Sequence, residues 1–181
     1  MSPFRFDTHK AIQAAGVALR DRGHMDRLRL LKILYIADRQ SLQETGSPIL
    51  GGRAVAMNHG PLHSDVYDMI KGTHPMEREW AKFIENEGTT VVLRDDPGRL
   101  DLSPYEIDKL NAITDWAKQF DTWELSEYTH GFQEWVDSFR KDTSTTIPPE
   151  KLLCALGFNQ DDIGDILSDA ESHRRLINLA G

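Results

Sequence analysis

A chain of 181 residues, 39% hydrophobic and with one cysteine, is long enough to bury a core of its own and cannot form an internal disulfide. No apolar run approaches the roughly 18 residues that span a bilayer, and Pro3, Arg5, Asp7, His9 and Lys10 interrupt any secretory leader, so one cytoplasmic domain over 1–181 is expected. The net charge of −8 hides an asymmetry, nine Lys/Arg against five Asp/Glu in residues 1–60 and twelve against twenty-four thereafter; this disfavours nucleic-acid binding by the chain alone and favours a basic partner.

Asp7 or Thr8 caps a first helix over about 9–21, with Ile12, Ala15, Val17 and Leu19 inward. Asp26 caps a second that runs to about 44 and stops at Gly46. From 28 to 37 its apolar positions leave almost no polar face, the pattern of a central helix packed on several sides. A loop over 47–52 leads to a short strand at 53–57, and Pro61 is expected at the first position of the next helix, which ends near Gly72. Pro75 is expected to open another helix reaching about 86, with Trp80, Phe83 and Ile84 at core spacing. Segments 89–94 and 99–102 flank Asp95-Asp96-Pro97-Gly98 and read as a β-hairpin. Ser103-Pro104-Tyr105-Glu106 is a capping box for a helix to about 119, and Asp121-Thr122-Trp123-Glu124 repeats that logic. Short helices near 122–129 and 132–140 follow, then a helical extension over about 149–179 capped in part by Asn159 or Asp161; polar 141–149 is the candidate mobile loop. Helices with a small antiparallel sheet and no βαβ rhythm make an α+β, mainly α domain.

Lys32, Tyr35 and Asp38 interrupt the apolar helix at a spacing that spreads them over roughly 120° of one side, so one surface could meet all three. Asp38 shares a face with Leu31, Leu34 and Tyr35, and a carboxylate there must be paired or hydrogen-bonded; the expected partners are N–H groups of the loop at 51–52, or Arg53. His59 and His63 have the spacing of a helical zinc pair, with His130 a distant third, but Gly60 and Pro61 break the helix between them, so no metal is expected. Cys154 is expected to be a small buried residue, and Trp80, Trp116, Trp123 and Trp135 mostly core. No nucleophile elbow, phosphate loop, C-x-x-C or H-E-x-x-H motif is present, so no catalytic residue and no cofactor is expected. Arg20, Arg22, Arg27, Arg29, Lys32 and Arg39 form the one basic cluster, read first as a solvated, partly ion-paired helix face.

The run Lys32-Ile33-Leu34-Tyr35-Ile36-Ala37-Asp38, then Gly46-Ser47-Pro48-Ile49, then Gly60-Pro61-Leu62 with Val66-Tyr67, then Ser126, Thr129, His130 and Trp135, resembles the Panacea domain of SocA-like antitoxins over about 25–140. It departs at Met57-Asn58-His59, where that family has larger aromatic residues. The resemblance implies an antitoxin that binds and neutralises a cognate protein toxin encoded adjacently; the acidic chain suits a basic toxin, and the small, apolar Leu179-Ala180-Gly181 tail makes a cellular protease a further candidate partner. It implies a structural motif of Lys32, Tyr35, Asp38, Gly60 and Pro61. The expected partner-binding residues are Asn58, His59 and Tyr67 near the turn, with Tyr128, His130 and Trp135; Trp123 or Trp135 is the expected aromatic anchor. The alternatives are a winged-helix transcription regulator, which requires Arg20, Arg22, Arg27 and Arg29 to line one exposed face beside a hairpin wing, and a metal-dependent hydrolase at His59, His63 and His130.

Overall fold

The apolar second helix is the axis of the molecule. A computed structural model of the protein describes residues 2–180, with side chains for 2–177; the candidate tail Leu179-Ala180-Gly181 lies outside the described side chains, and Gly181 outside the described residues altogether. The elements in chain order are α1 (Thr8–Leu19), β1 (His24–Asp26), α2 (Arg27–Thr45), β2 (Ala54–Met57), β3 (Gly60–His63), α3 (Ser64–Lys71), α4 (Glu77–Ala81), β4 (Ile84–Glu87), β5 (Thr90–Leu93), α5 (Pro104–Ala117), α6 (Thr122–His130), α7 (Gln133–Ser138), β6 (Thr145–Thr146), α8 (Pro149–Ala155) and α9 (Gln160–Ala180). The domain is α+β and mainly α.

Helix α2 begins where Asp26 accepts the N–H of Leu28 at 2.8 Å and ends at Gly46, whose φ of 73° permits the left-handed cap. Every residue from Leu30 to Asp38 is buried, because α1, α3, α5, α6, β1 and β3 all pack around it. The capping boxes at Ser103 and Asp121 both form as the sequence predicts. A smaller cluster of Leu42, Leu153, Leu156 and Ile163 fastens α8 and α9 to the far end of α2. That register points Leu153 and Leu156 inward and leaves Cys154 exposed, contrary to expectation.

Two three-stranded antiparallel sheets are present among the described residues, ordered β1-β5-β4 and β3-β2-β6. In the first, the hairpin lies one step earlier than the sequence suggests. Strand β5 turns back through Gly88-Thr89 onto β4 rather than forward through Pro97, and the helix expected to reach 86 stops at Ala81. Gly88, at φ 63°, occupies the first turn position, where a two-residue hairpin demands a positive angle. The Asp95–Gly98 stretch is instead a loop in which Asp96 accepts the N–H of Gly98 at 2.9 Å, and Pro97 lies against Gly16 of α1.

The second sheet holds the other departures. Residues 60–63 are a strand, paired Met57↔Gly60 and Val55↔Leu62, so Pro61 lies in β3 and His63 ends it rather than occupying a helical turn. Ser64 continues the pattern by donating to Arg53 O at 2.9 Å. Residues 60, 62 and 64 thus face β2, and Pro61, which has no N–H to give, faces the sheet edge. The segment 141–149, expected as a loop, supplies β6 to the other side of β2, paired Val55↔Thr146. Asn58 at the hairpin tip exchanges hydrogen bonds with Asp142, both 2.9 Å. Apart from the short α4, the connectivity α1-β1-α2-α3-β4-β5 with strand order β1-β5-β4 is that of a winged helix, with the β2–β3 hairpin inserted between its second and third helices.

Gly60 is the tightest point of that insertion. Its φ is +89°, and a Cβ there would collide with Thr129 Oγ1 and come within 3.0 Å of Lys32 Nζ. Gly60→Ala is therefore expected to destabilise the fold by about 2 to 4 kcal/mol, combining left-handed strain with overpacking, read as a lowered urea midpoint at unchanged m value.

Candidate functional site

Lys32, Tyr35 and Asp38 of α2 face inward, each toward a different segment. Lys32 is fully buried, and its Nζ donates to Pro61 O at 2.7 Å. Burial brings its pKa down to about 7. Tyr35 donates to Glu134 Oε1 at 3.1 Å, and Arg39 grips the same carboxylate with Nε to Oε1 at 2.7 Å and Nη2 to Oε2 at 3.2 Å. Glu134, on α7, is fully buried; burial, followed by the charge of Glu134, pushes the Tyr35 hydroxyl well above its ordinary range. Asp38 Oδ1 accepts the N–H of Leu50 at 2.6 Å. Burial raises its pKa, while His63 and the backbone N–H groups of Leu50, Ile49 and Gly51 oppose the rise. The side-chain partner is His63, with Nε2 3.3 Å from Asp38 Oδ2 but not aligned as a hydrogen bond; Arg53, the expected alternative, donates to Ser64 Oγ instead.

The late motif closes the same seam from the other side. Ser126 Oγ donates to His59 O at 2.8 Å, Thr129 is fully buried over Gly60, and Trp135 Nε1 donates to Met57 O at 3.0 Å. His130 stacks on Trp135 with centroids 4.3 Å apart and planes 9° from parallel, and Trp135 stacks in turn on Phe139 at 4.6 Å. Tyr128 is 46% exposed and packs edge-on against Trp116 and Phe132. His59 meets Trp123 edge-on at 5.2 Å. The three histidines thus serve three separate contacts, and among the described residues no group of three His, Cys, Asp or Glu side chains could hold a metal ion.

A groove of about 960 Å³ opens beside this seam. Its floor is Leu28 and Leu31 of α2 with Leu62 of β3; Tyr67 of α3, Thr89 of the β4–β5 turn and Asn58 with His59 at the hairpin tip form its walls. Trp123, expected in the core, is 62% exposed at the lip, because it lies at the start of α6 on the side turned away from buried Leu125 and Ser126. Of the six predicted partner-binding residues, Asn58, His59 and Tyr67 are thus gathered at the groove; Tyr128, His130 and Trp135 lie off its lining. Glu134 and the groove residue Leu28 escaped sequence reasoning. The only signal for Glu134 was an acidic residue between Phe132 and Trp135.

The basic cluster is dispersed. Arg20 pairs with Asp96, Arg29 donates to Ala117 O and Phe120 O at the end of α5, Arg39 holds Glu134 and Lys32 is buried. On the winged-helix frame, α3 carries Asp65 and Asp68, with Lys71 paired to Asp68, and the hairpin carries Glu85 and Glu87 around Arg94. This face does not offer the cationic surface that DNA requires.

A buried polar frame thus stands beside an open, largely apolar groove. The chain belongs to the antitoxin SocA-like, Panacea domain family, whose model matches residues 30–136, which places it in a toxin–antitoxin role in general terms. No curated protein and no solved structure matches it. Among the described residues no helix is long and apolar enough to cross a membrane.

Two stability predictions follow from the frame. Lys32 has a lower pKa folded than unfolded, so the burial penalty is fully present below about pH 7 and is relieved as pH rises toward its unfolded value. Wild-type stability minus that of Lys32→Met is expected to climb between about pH 7 and pH 10 with a slope approaching about 1.4 kcal/mol per pH unit, measured by urea denaturation across that range. Asp38→Ala, which leaves the Leu50 N–H without its acceptor, is expected to cost on the order of 1 to 3 kcal/mol by the same method at neutral pH.

Proposed function

We propose that the protein is an antitoxin that silences a cognate protein toxin by direct, stoichiometric contact. The observation that carries this reading is the family match over residues 30–136. The site supports it, because the polar residues of the family-like motif are engaged inside the protein while apolar and aromatic side chains remain presented at the groove. An acidic chain, net −8, suits a basic toxin, since complementary charge speeds encounter and disfavours wrong partners. The toxin is encoded adjacently, the complex forms in the cytoplasm, and no catalytic step is needed. The binding surface comprises the hairpin tip with Asn58, His59 and Tyr67, and the neighbouring Tyr128, His130 and Trp135. A cellular protease acting on the complex is an additional partner compatible with this reading.

The test is co-expression with the product of the adjacent reading frame, scored for growth and for co-purification. Wild type is expected to restore growth and to co-purify in equal amounts. Alanine at Asn58, His59 or Tyr128, which are exposed, is expected to weaken neutralisation, with an unchanged melting temperature at His59 and a small decrease at Asn58 and Tyr128, which also lose contacts with Asp142 and Trp116. Full neutralisation by all three would remove the proposed surface, and failure of wild type to rescue would remove the antitoxin reading.

A further inference from the structure

The groove has a chemical character that narrows its occupant. Its floor is aliphatic, from Leu28, Leu31 and Leu62, and its lip carries the exposed Trp123. Three carboxylates surround it: Asp26, Asp121 and Asp142. In each, Oδ1 accepts hydrogen bonds from within the protein, from Leu28 N at 2.8 Å, from Trp123 N and Glu124 N at 2.8 Å, and from Asn58 Nδ2 at 2.9 Å. Among the described residues no hydrogen bond reaches their Oδ2 atoms. Opposing this, the N-termini of α2 and α6 each bring roughly half a positive charge, and Arg27 lines the same groove. Three full negative charges against one full and two half positive ones leave the rim acidic.

Resting on the antitoxin reading above, we infer that this groove receives a short segment of the partner that presents a large apolar side chain flanked by Lys or Arg. The apolar side chain fills the floor between Leu28, Leu31 and Leu62, with Trp123 closing over it. The flanking cations reach the open Oδ2 atoms of Asp26, Asp121 and Asp142. A second copy of this chain is a poor occupant, because a net charge of −8 meets the acidic rim with repulsion. Trp123 is the expected hot spot, since an exposed aromatic beside an apolar floor gains most from being covered.

Two arms test this with the full-length protein. In the first, the blocked peptides Lys-Leu-Phe-Arg and Glu-Leu-Phe-Glu are titrated while backbone resonances are followed by NMR. The basic peptide is expected to shift Leu28, Leu31, Tyr67 and Trp123 as one group. The acidic peptide should bind at least about tenfold more weakly, and the combined Asp26→Asn, Asp121→Asn and Asp142→Asn variant should lose that preference. Asn retains helix capping and tolerates the left-handed backbone at 142, so the variant is expected to keep its melting temperature. Equal binding of both peptides, or shifts elsewhere, overturns the inference. In the second arm, with the adjacent-frame product, Trp123→Ala is expected to weaken binding by about 30-fold or more, while Leu100→Ala, 97% exposed and off the groove lining, changes nothing. A fully active, folded Trp123→Ala protein overturns the groove and leaves the antitoxin reading standing. If wild type neither binds nor rescues, the antitoxin reading falls, and the peptide arm still decides the chemistry of the groove.

Discussion

A lysine, a phenol and two carboxylates cannot be buried around one helix unless each meets a partner that offsets its lost hydration, and the rest of this fold is arranged to satisfy that constraint. Lys32 requires an acceptor, so β3 must bring Pro61 O alongside α2. Glu134 requires cations and donors, so α7 must lie across Tyr35 and Arg39. Asp38 requires N–H groups, so the loop at 49–51 must fold over it. These are specific, directional contacts, unlike the apolar packing around them. Their consequence is registry: each attaches one later segment to one turn of α2, and a hairpin slipped by one residue would leave a buried charge unmet.

The same contacts explain how a winged-helix connectivity comes to serve a different surface. In a DNA-binding winged helix, the third helix and the hairpin present cations. Here the inserted β2–β3 hairpin, held down by Lys32, Ser126 and Trp135, stands beside the third helix and forms a wall of the groove with Tyr67. Two of the four arginines that could have served DNA are used to join elements, Arg20 to Asp96 and Arg29 to the end of α5, as is Arg39, which anchors α7, while Arg27 lines the groove. A basic cluster in sequence is thus no guide to a basic surface, because guanidinium groups are as suited to capping carbonyls as to phosphates.

What could be read from the sequence was whatever rests on local chemistry. Asp26 and Gly46 bounded α2, and the capping boxes at Ser103 and Asp121 placed α5 and α6, because a cap is a short-range hydrogen bond. The need for loop N–H groups to satisfy Asp38 was legible, although the donors lie at 49–51 rather than 51–52, but its side-chain partner was not. His63 arrives only because residues 60–63 form a strand, and Pro61 disguised that strand as a helix start. The hairpin at 84–93 was missed because Asp95-Asp96-Pro97-Gly98 carries more turn residues than Gly88-Thr89; position in the sheet decided, not turn composition. Trp123, expected in the core, lies outside, and Glu134, for which the sequence raised no expectation, lies inside, since both depend on how α6 and α7 lie against α2, a tertiary fact that side-chain periodicity does not encode.

The groove also lies where the family-like core meets the rest of the chain. The matched span is 30–136. Leu31, Leu62, Tyr67 and Trp123 come from inside it, whereas Asp26, Arg27 and Leu28 precede it and Asp142, Thr143 and Ser144 follow it. Two of the three floor leucines, Leu31 and Leu62, therefore belong to the core whose geometry the buried polar contacts hold, while Leu28 and two of the three rim carboxylates belong to segments outside it. Such a division separates two demands on one protein. Registry is fixed by Lys32, Tyr35, Asp38 and Glu134, none of which lines the groove, so the rim can change its charge and shape without disturbing any hydrogen bond of the frame. Substitution at positions such as 27 and 143 would change the charge and shape of the groove and leave those hydrogen bonds in place.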